Sequence, residues 1–161
     1  MISDIELKRE VIGFVQTFKW EAPYAVTLTF KAGIWAPDGG WLKCQLHDAE
    51  KNVRHWLNVV SRRLFRRSHH SANPGLKCVA VKEETDLVRL HYHLMIERPG
   101  GWNDAAFIDL LTREWQRTDW GNDQVVVEAC DLGWLGYIAK RKTKREYDLS
   151  IDWGNTHSGA I

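Results

Sequence analysis

Cysteine is scarce in this chain and follows no pattern. Cys44, Cys78 and Cys130 are odd in number and far apart. That argues against a disulfide framework and against a Cys-x-x-Cys zinc site. No apolar run is long enough to span a bilayer. The opening Met-Ile-Ser-Asp-Ile-Glu-Leu-Lys-Arg-Glu is too charged for a secretory leader, so the expected location is the cytoplasm. A Gly-x-x-x-x-Gly-Lys phosphate loop is missing. So are repeats, low-complexity tracts and any interdomain linker. Charge of one sign is not in excess either: the net charge is +1, which does not advertise nucleic-acid binding.

The 161 residues fit one domain, and a hydrophobic fraction of 44% can build its core. The basic residues are clustered rather than abundant. Arg62, Arg63, Arg66 and Arg67 end one predicted helix, and Lys140, Arg141, Lys142, Lys144 and Arg145 end another. Such clusters suit a helix C-terminus and can equally track phosphates. Nine tryptophans is a high count. Most belong in a core, but exposed ones make stacking platforms for bases, so Trp20, Trp35, Trp41 and the His69-His70 pair are candidate contacts.

A helix capped by Ser3 or Asp4 opens the chain and ends before Pro23. Residues 24–31 read as a strand and 36–40 as a loop. A long amphipathic helix is expected from Trp41 to about Arg67. Residues 76–82 and 87–97 read as strands around a tight turn. Then come a helix capped by Asn103 or Asp104, a strand over 123–129, and a helix capped by Asp131 that runs to about Lys142. Without the first helix the order is β-α-β-β-α-β-α, and its first six elements are those of a ferredoxin-like α+β domain, an antiparallel sheet with helices packed on it. Tyr147, Leu149, Ile151 and Trp153 alternate with polar residues, so 143–161 is expected to be an edge strand or a tail.

The chemistry concentrates in two places. His91 and His93 flank Tyr92 in a predicted strand, so both imidazoles leave one face and can share an ion. A two-residue turn at Thr85-Asp86 opposes Glu84 to Leu87 and Ala80 to His91, which puts Glu84, Lys82 and Arg89 on the histidine face. A three-residue loop reverses the parity and offers Glu83 instead. Glu84 is therefore the preferred third ligand and Glu83 the fallback, and Glu97 also has suitable parity. Two imidazoles and a carboxylate suit Mn²⁺, Zn²⁺ or Fe²⁺, whereas Mg²⁺ prefers oxygen. The second place is the last helix, where Tyr137 and Lys140 lie three apart and share a face. A phenol is a weak nucleophile at neutral pH, and Lys140 can stabilise its phenolate.

Three motifs in this order resemble the HUH endonucleases, the nuclease domains of rolling-circle replication initiators. They are Val26-Thr27-Leu28-Thr29-Phe30, His91-Tyr92-His93 and Tyr137-Ile138-Ala139-Lys140, spanning about residues 23–142. The resemblance implies a single-tyrosine enzyme with a divalent cofactor, Mn²⁺ or Mg²⁺, held by His91, His93 and Glu84 or Glu83. Its substrate would be single-stranded DNA at an origin or hairpin, positioned by Lys82, Arg89, Arg141 and Lys142. Tyr137 would nick it through a 5′-phosphotyrosine link. No membrane is involved, and unwinding falls to a host helicase or to supercoiling. Tyr92 departs from the family's aliphatic middle residue. Other readings are a single-tyrosine transposase, a cupin-type oxygenase suggested by His91-x-His93-x-x-x-Glu97, and a non-catalytic single-strand-binding module. The long helix at 41–67 speaks against the cupin.

Overall fold

The computed structural model describes residues 3–65, 75–84, 89–138 and 150–159. The elements run α1 (Asp4–Gln16), β1 (Pro23–Phe30), β2 (Gly33–Trp35), β3 (Trp41–Lys43), α2 (Leu46–Leu64), β4 (Cys78–Glu83), β5 (His91–Glu97), α3 (Asp104–Gln116), β6 (Gly121–Ala129) and α4 (Gly133–Ile138). Four strands make one antiparallel sheet in the order β4-β5-β1-β6, with α2 and α3 packed on one face. The α+β architecture is the expected one.

Alternation along the strands sorts the two faces of this sheet. Tyr24, Val26, Leu28 and Phe30 of β1 and Tyr92, Leu94 and Ile96 of β5 form the main core with α2 and α3. Trp56 and Trp115 are fully buried there. Their indole N–H groups donate to the carbonyls of Leu111 at 3.1 Å and Thr29 at 3.2 Å, so neither buries an unpaired donor. On the opposite face Val79, Val81 and Met95 meet Val15, Phe18, Leu135 and Ile151. α1 and α4 therefore cover the face that carries the histidines. Ser3 starts α1 with a capping box, exchanging hydrogen bonds with Glu6.

Two sequence expectations change. Trp41 does not begin a helix. The Gly39-Gly40 turn folds residues 41–43 back on 33–35 as a two-stranded hairpin, with Gly39 at φ +88°. α2 starts only at Leu46, where the Asp48 carboxylate accepts from the Gln45 backbone N–H at 3.0 Å. The described part of the tail is not a full strand either. Ile151 bridges Val81 and His157 bridges Cys78, with a 3-10 turn at Trp153–Asn155 between them. Those two bridges still cover the exposed edge of β4.

A buried polar group pins this tail. The Tyr92 hydroxyl donates to Asp152 Oδ2 at 2.8 Å, and Asn155 Nδ2 donates to the same oxygen at 2.7 Å. Burial, reinforced by the Asp152 charge, pushes the Tyr92 phenol pKa far upward, so it stays a donor. Tyr92→Phe removes a hydrogen bond to a buried carboxylate, which is worth about 1.5–3 kcal/mol. Denaturant unfolding should show a loss of that size, and limited proteolysis should cut faster within 150–159. An unchanged midpoint would mean the tail is held by other contacts.

Candidate metal centre

β4 and β5 pair with Glu83 opposite His91 and Val81 opposite His93. The side chains of Glu83, His91 and His93 therefore leave one face of two neighbouring strands. Their ligand atoms lie within 4.8 Å of one another, the one such group of three or more among the described residues. Glu83 Oε2 is 3.1 Å from His91 Nε2 and 2.9 Å from His93 Nε2. The three side chains are 14%, 18% and 12% exposed, so the cluster is shielded yet open to solvent on one side.

The outer nitrogens fix the rings. His91 Nδ1 lies 2.8 Å from the Arg89 carbonyl, which can only accept, so Nδ1 carries a proton and Nε2 is the nitrogen turned to Glu83. His93 Nδ1 lies 3.2 Å from the Thr27 hydroxyl. A proton or a cation can bridge His91 Nε2 and the Glu83 oxygen at this separation. Ligand atoms bonded to one ion at about 2.0–2.2 Å sit roughly 3–3.5 Å apart, close to the spacing seen here. Two imidazoles and a carboxylate are a donor set for a divalent first-row ion, and they do not choose which one.

The carboxylate that the structure brings to the two histidines is therefore that of Glu83 and not that of Glu84. Ala80 faces Leu94 where a two-residue turn would have faced it to His91, an odd shift of three positions that swaps the faces. Glu84 is exposed and lines a cavity with Trp41 and Arg89. Lys82 changes side with it. It opposes Tyr92, and its Nζ pairs with Glu50 Oε1 of α2 at 2.6 Å, so it does not share the histidine face. Arg89 lies just before β5 and contributes its carbonyl to His91, while its side chain lines that same cavity. Glu97 is spent at the far end of β5, accepting from the backbone N–H groups of Glu21 and Ala22.

Thr27 is a neighbour of the candidate site whose contact with His93 sequence reasoning missed. Its strand was noted as a motif, but the hydroxyl's task became visible only with the register that sets Thr27 opposite His93 and Thr29 opposite His91.

α4 rises from Asp131, whose carboxylate accepts from the Gly133 N–H at 2.8 Å. Leu135 is buried against the sheet, and the Trp134 ring lies 6.1 Å from the His93 ring. Tyr137 is one turn beyond Trp134 on the same side of the helix. It is 55% exposed, so solvent and substrate can reach it. Lys140, Arg141 and Lys142 lie outside the described residues, as does His69-His70. Trp20 is partly buried and donates to the Val15 carbonyl at 3.0 Å.

A family model for a replication-associated protein, the ORF2 type, matches residues 23–146. The chain belongs to this family. The match takes in β1 through α4, both histidines and the tyrosine helix. The family is consistent with an enzyme acting in replication initiation and implies contact with DNA. No curated protein and no solved structure gives a significant match. No described helix is long and apolar enough to cross a membrane.

The geometry separates the two glutamates by experiment. A bound divalent ion stabilises the folded state by about 2.7 kcal/mol at a hundred times its Kd. Mn²⁺ should therefore raise the thermal midpoint of the protein and of its Glu84→Ala variant, and leave Glu83→Ala unmoved. Thr27→Val should weaken Mn²⁺ binding about 10- to 100-fold, the usual cost of removing a ligand's outer partner. An unmoved Glu84→Ala with a responsive Glu83→Ala would refute the assignment.

Proposed function

We propose that this replication-associated protein nicks and rejoins single-stranded DNA through a 5′-phosphotyrosine intermediate, as the resemblance to HUH endonucleases implies. The convergence of Glu83, His91 and His93 on one point carries the reading. A divalent ion held there, Mn²⁺ or Mg²⁺, would polarise the scissile phosphate and offset the charge that develops on it. Tyr137 is the nucleophile. Its oxygen attacks phosphorus in line, a phosphorus–oxygen bond to the phenol forms, and the bond to the 3′ oxygen breaks. The phenolic proton is lost and the departing 3′ oxygen gains one, so the products are a protein-linked 5′ phosphate and a free 3′-OH. That hydroxyl can prime replication, and its attack on the tyrosyl ester reverses the step and joins strands.

The other residues prepare this exchange. The Arg89 carbonyl and the Thr27 hydroxyl hold the imidazoles in place. Lys140, one turn past Tyr137 in sequence, stabilises the phenolate or the phosphate, and Arg141 and Lys142 bind the strand. Arg89 also binds the strand, whereas Lys82 is engaged by Glu50. Lys140 together with the family match favours replication initiation over transposition.

The test is a labelled single-stranded oligonucleotide carrying the cognate origin, incubated with Mn²⁺ and resolved on denaturing gels for nicks and for protein–DNA adduct. Tyr137→Phe should abolish both products while DNA affinity stays within about two- to threefold. Glu83→Ala should lose nicking as well. Full activity in Tyr137→Phe would remove that residue as nucleophile, and binding without cleavage by the wild type would favour the non-catalytic module.

A further inference from the structure

The β2–β3 hairpin carries an arrangement that the catalytic reading does not use. Trp35 and Trp41 are directly opposed, and so are Gly33 and Lys43. Directly opposed residues share a face, so two indoles and one ammonium leave the same side of the ribbon. The rings meet edge to face at 5.1 Å and 68°. Yet they remain 72% and 50% exposed.

Gly33 explains how Trp41 is aimed. A Cβ at that position would fall 2.5 Å from the Trp41 ring and 2.6 Å from the Leu42 carbonyl. The indole therefore lies against bare backbone, and any larger residue at position 33 would lift it off. Beside it opens a cavity of about 290 Å³ lined by Trp41, Lys43, Lys31, Arg89, Leu90 and Glu84, among others. Three basic residues and one acidic residue line it, on a protein whose net charge is only +1, and of these the Lys31 ammonium donates to the Asp119 carbonyl at 3.2 Å. Leu90 adjoins His91, so the cavity abuts the strand end that bears the metal ligands.

We infer that this hairpin is a binding platform for single-stranded DNA, in which an unstacked base lies on the Trp35–Trp41 pair and its phosphate meets Lys43 and Arg89. The inference rests on the reading of the protein as a single-strand nuclease and adds a subsite to it. An indole face held flat and left open suits a nucleobase. Base–indole stacking is sequence-tolerant, and adjacent cations supply the salt-dependent part of the affinity. A duplex cannot use the platform, because its bases already stack on one another.

The experiment is done in EDTA, so that cleavage plays no part. A single-stranded dT20 carrying 5-iododeoxyuridine is irradiated with the full chain, and cross-linked peptides are mapped by mass spectrometry. Adducts should fall on Trp35 or Trp41. Trp41→Ala should raise the Kd for dT20 about 5- to 150-fold, and Trp41→Phe should restore most of it. Gly33→Ala, which keeps every tryptophan, should weaken binding as Trp41→Ala does. Lys43→Ala should flatten the salt dependence by about one phosphate contact. Binding of a dA20·dT20 duplex should not respond to Trp41→Ala. Cross-links confined to other residues, wild-type affinity in Trp41→Ala or Gly33→Ala, or equal losses for duplex and single strand would each overturn the platform. Nicking measured separately with Mn²⁺ separates the failures. Nicking without tryptophan adducts sinks the platform alone, and tryptophan adducts without nicking keep it and sink the nuclease reading.

Discussion

Glu83 Oε2 stands within 3.1 Å of two imidazole nitrogens, and that contact exists in only one pairing of β4 with β5. Sheet side chains repeat every two residues, so an odd shift would turn Glu83 away and bring Glu84 round. What holds the register is the burial on the other face. Cys78 and Ala80 sit opposite Ile96 and Leu94, all fully buried under the helices. The geometry of this cluster is thus inherited from the packing of the core, and the Arg89 carbonyl and the Thr27 hydroxyl orient the two rings within it.

β5 shows how one strand serves both demands. Tyr92, Leu94 and Ile96 point inward, while His91 and His93 point outward beside β1. Tyr92 does more than fill space, because its hydroxyl reaches the Asp152 carboxylate and fastens the tail along β4. The residue between the histidines therefore ties the strand that carries two ligands to the segment that covers the edge of the strand carrying the third. A bulky aliphatic side chain would pack there but could not hold that carboxylate. This gives the departure from the aliphatic pattern a physical reason.

Much of this was legible in the residues. The alternating apolar pattern of β1, the capping side chains at Ser3, Asn103 and Asp131, and the His-x-His spacing each pointed to the right element. Which glutamate joins the histidines was left open between Glu84 and Glu83, for two reasons. Residues 78–81 are apolar without alternation, because β4 is buried on both faces, so hydrophobicity could not fix its parity. Glu83 and Glu84 are also adjacent and chemically identical, and only parity could choose between them. Lys82 was misplaced by the same slip. The hairpin failed differently. Leu42 and Leu46 fit a helical repeat, but both are exposed, and the turn at Gly39 overrides that repeat.

The order of elements along the chain also explains how the chemistry is divided. β1 ends beside the histidines, and the chain passes directly into the tryptophan hairpin. α4 reaches the same sheet from β6 and sets Trp134 against His93. His91 and His93 come from β5 inside the sheet and Glu83 from β4 beside it, on strands held by the core. Tyr137 comes from α4, which Leu135 holds against the sheet. The carboxylate and the two imidazoles thus stand on strands fixed by the core, and an exposed phenol is carried to the same side of the sheet by a helix packed on it.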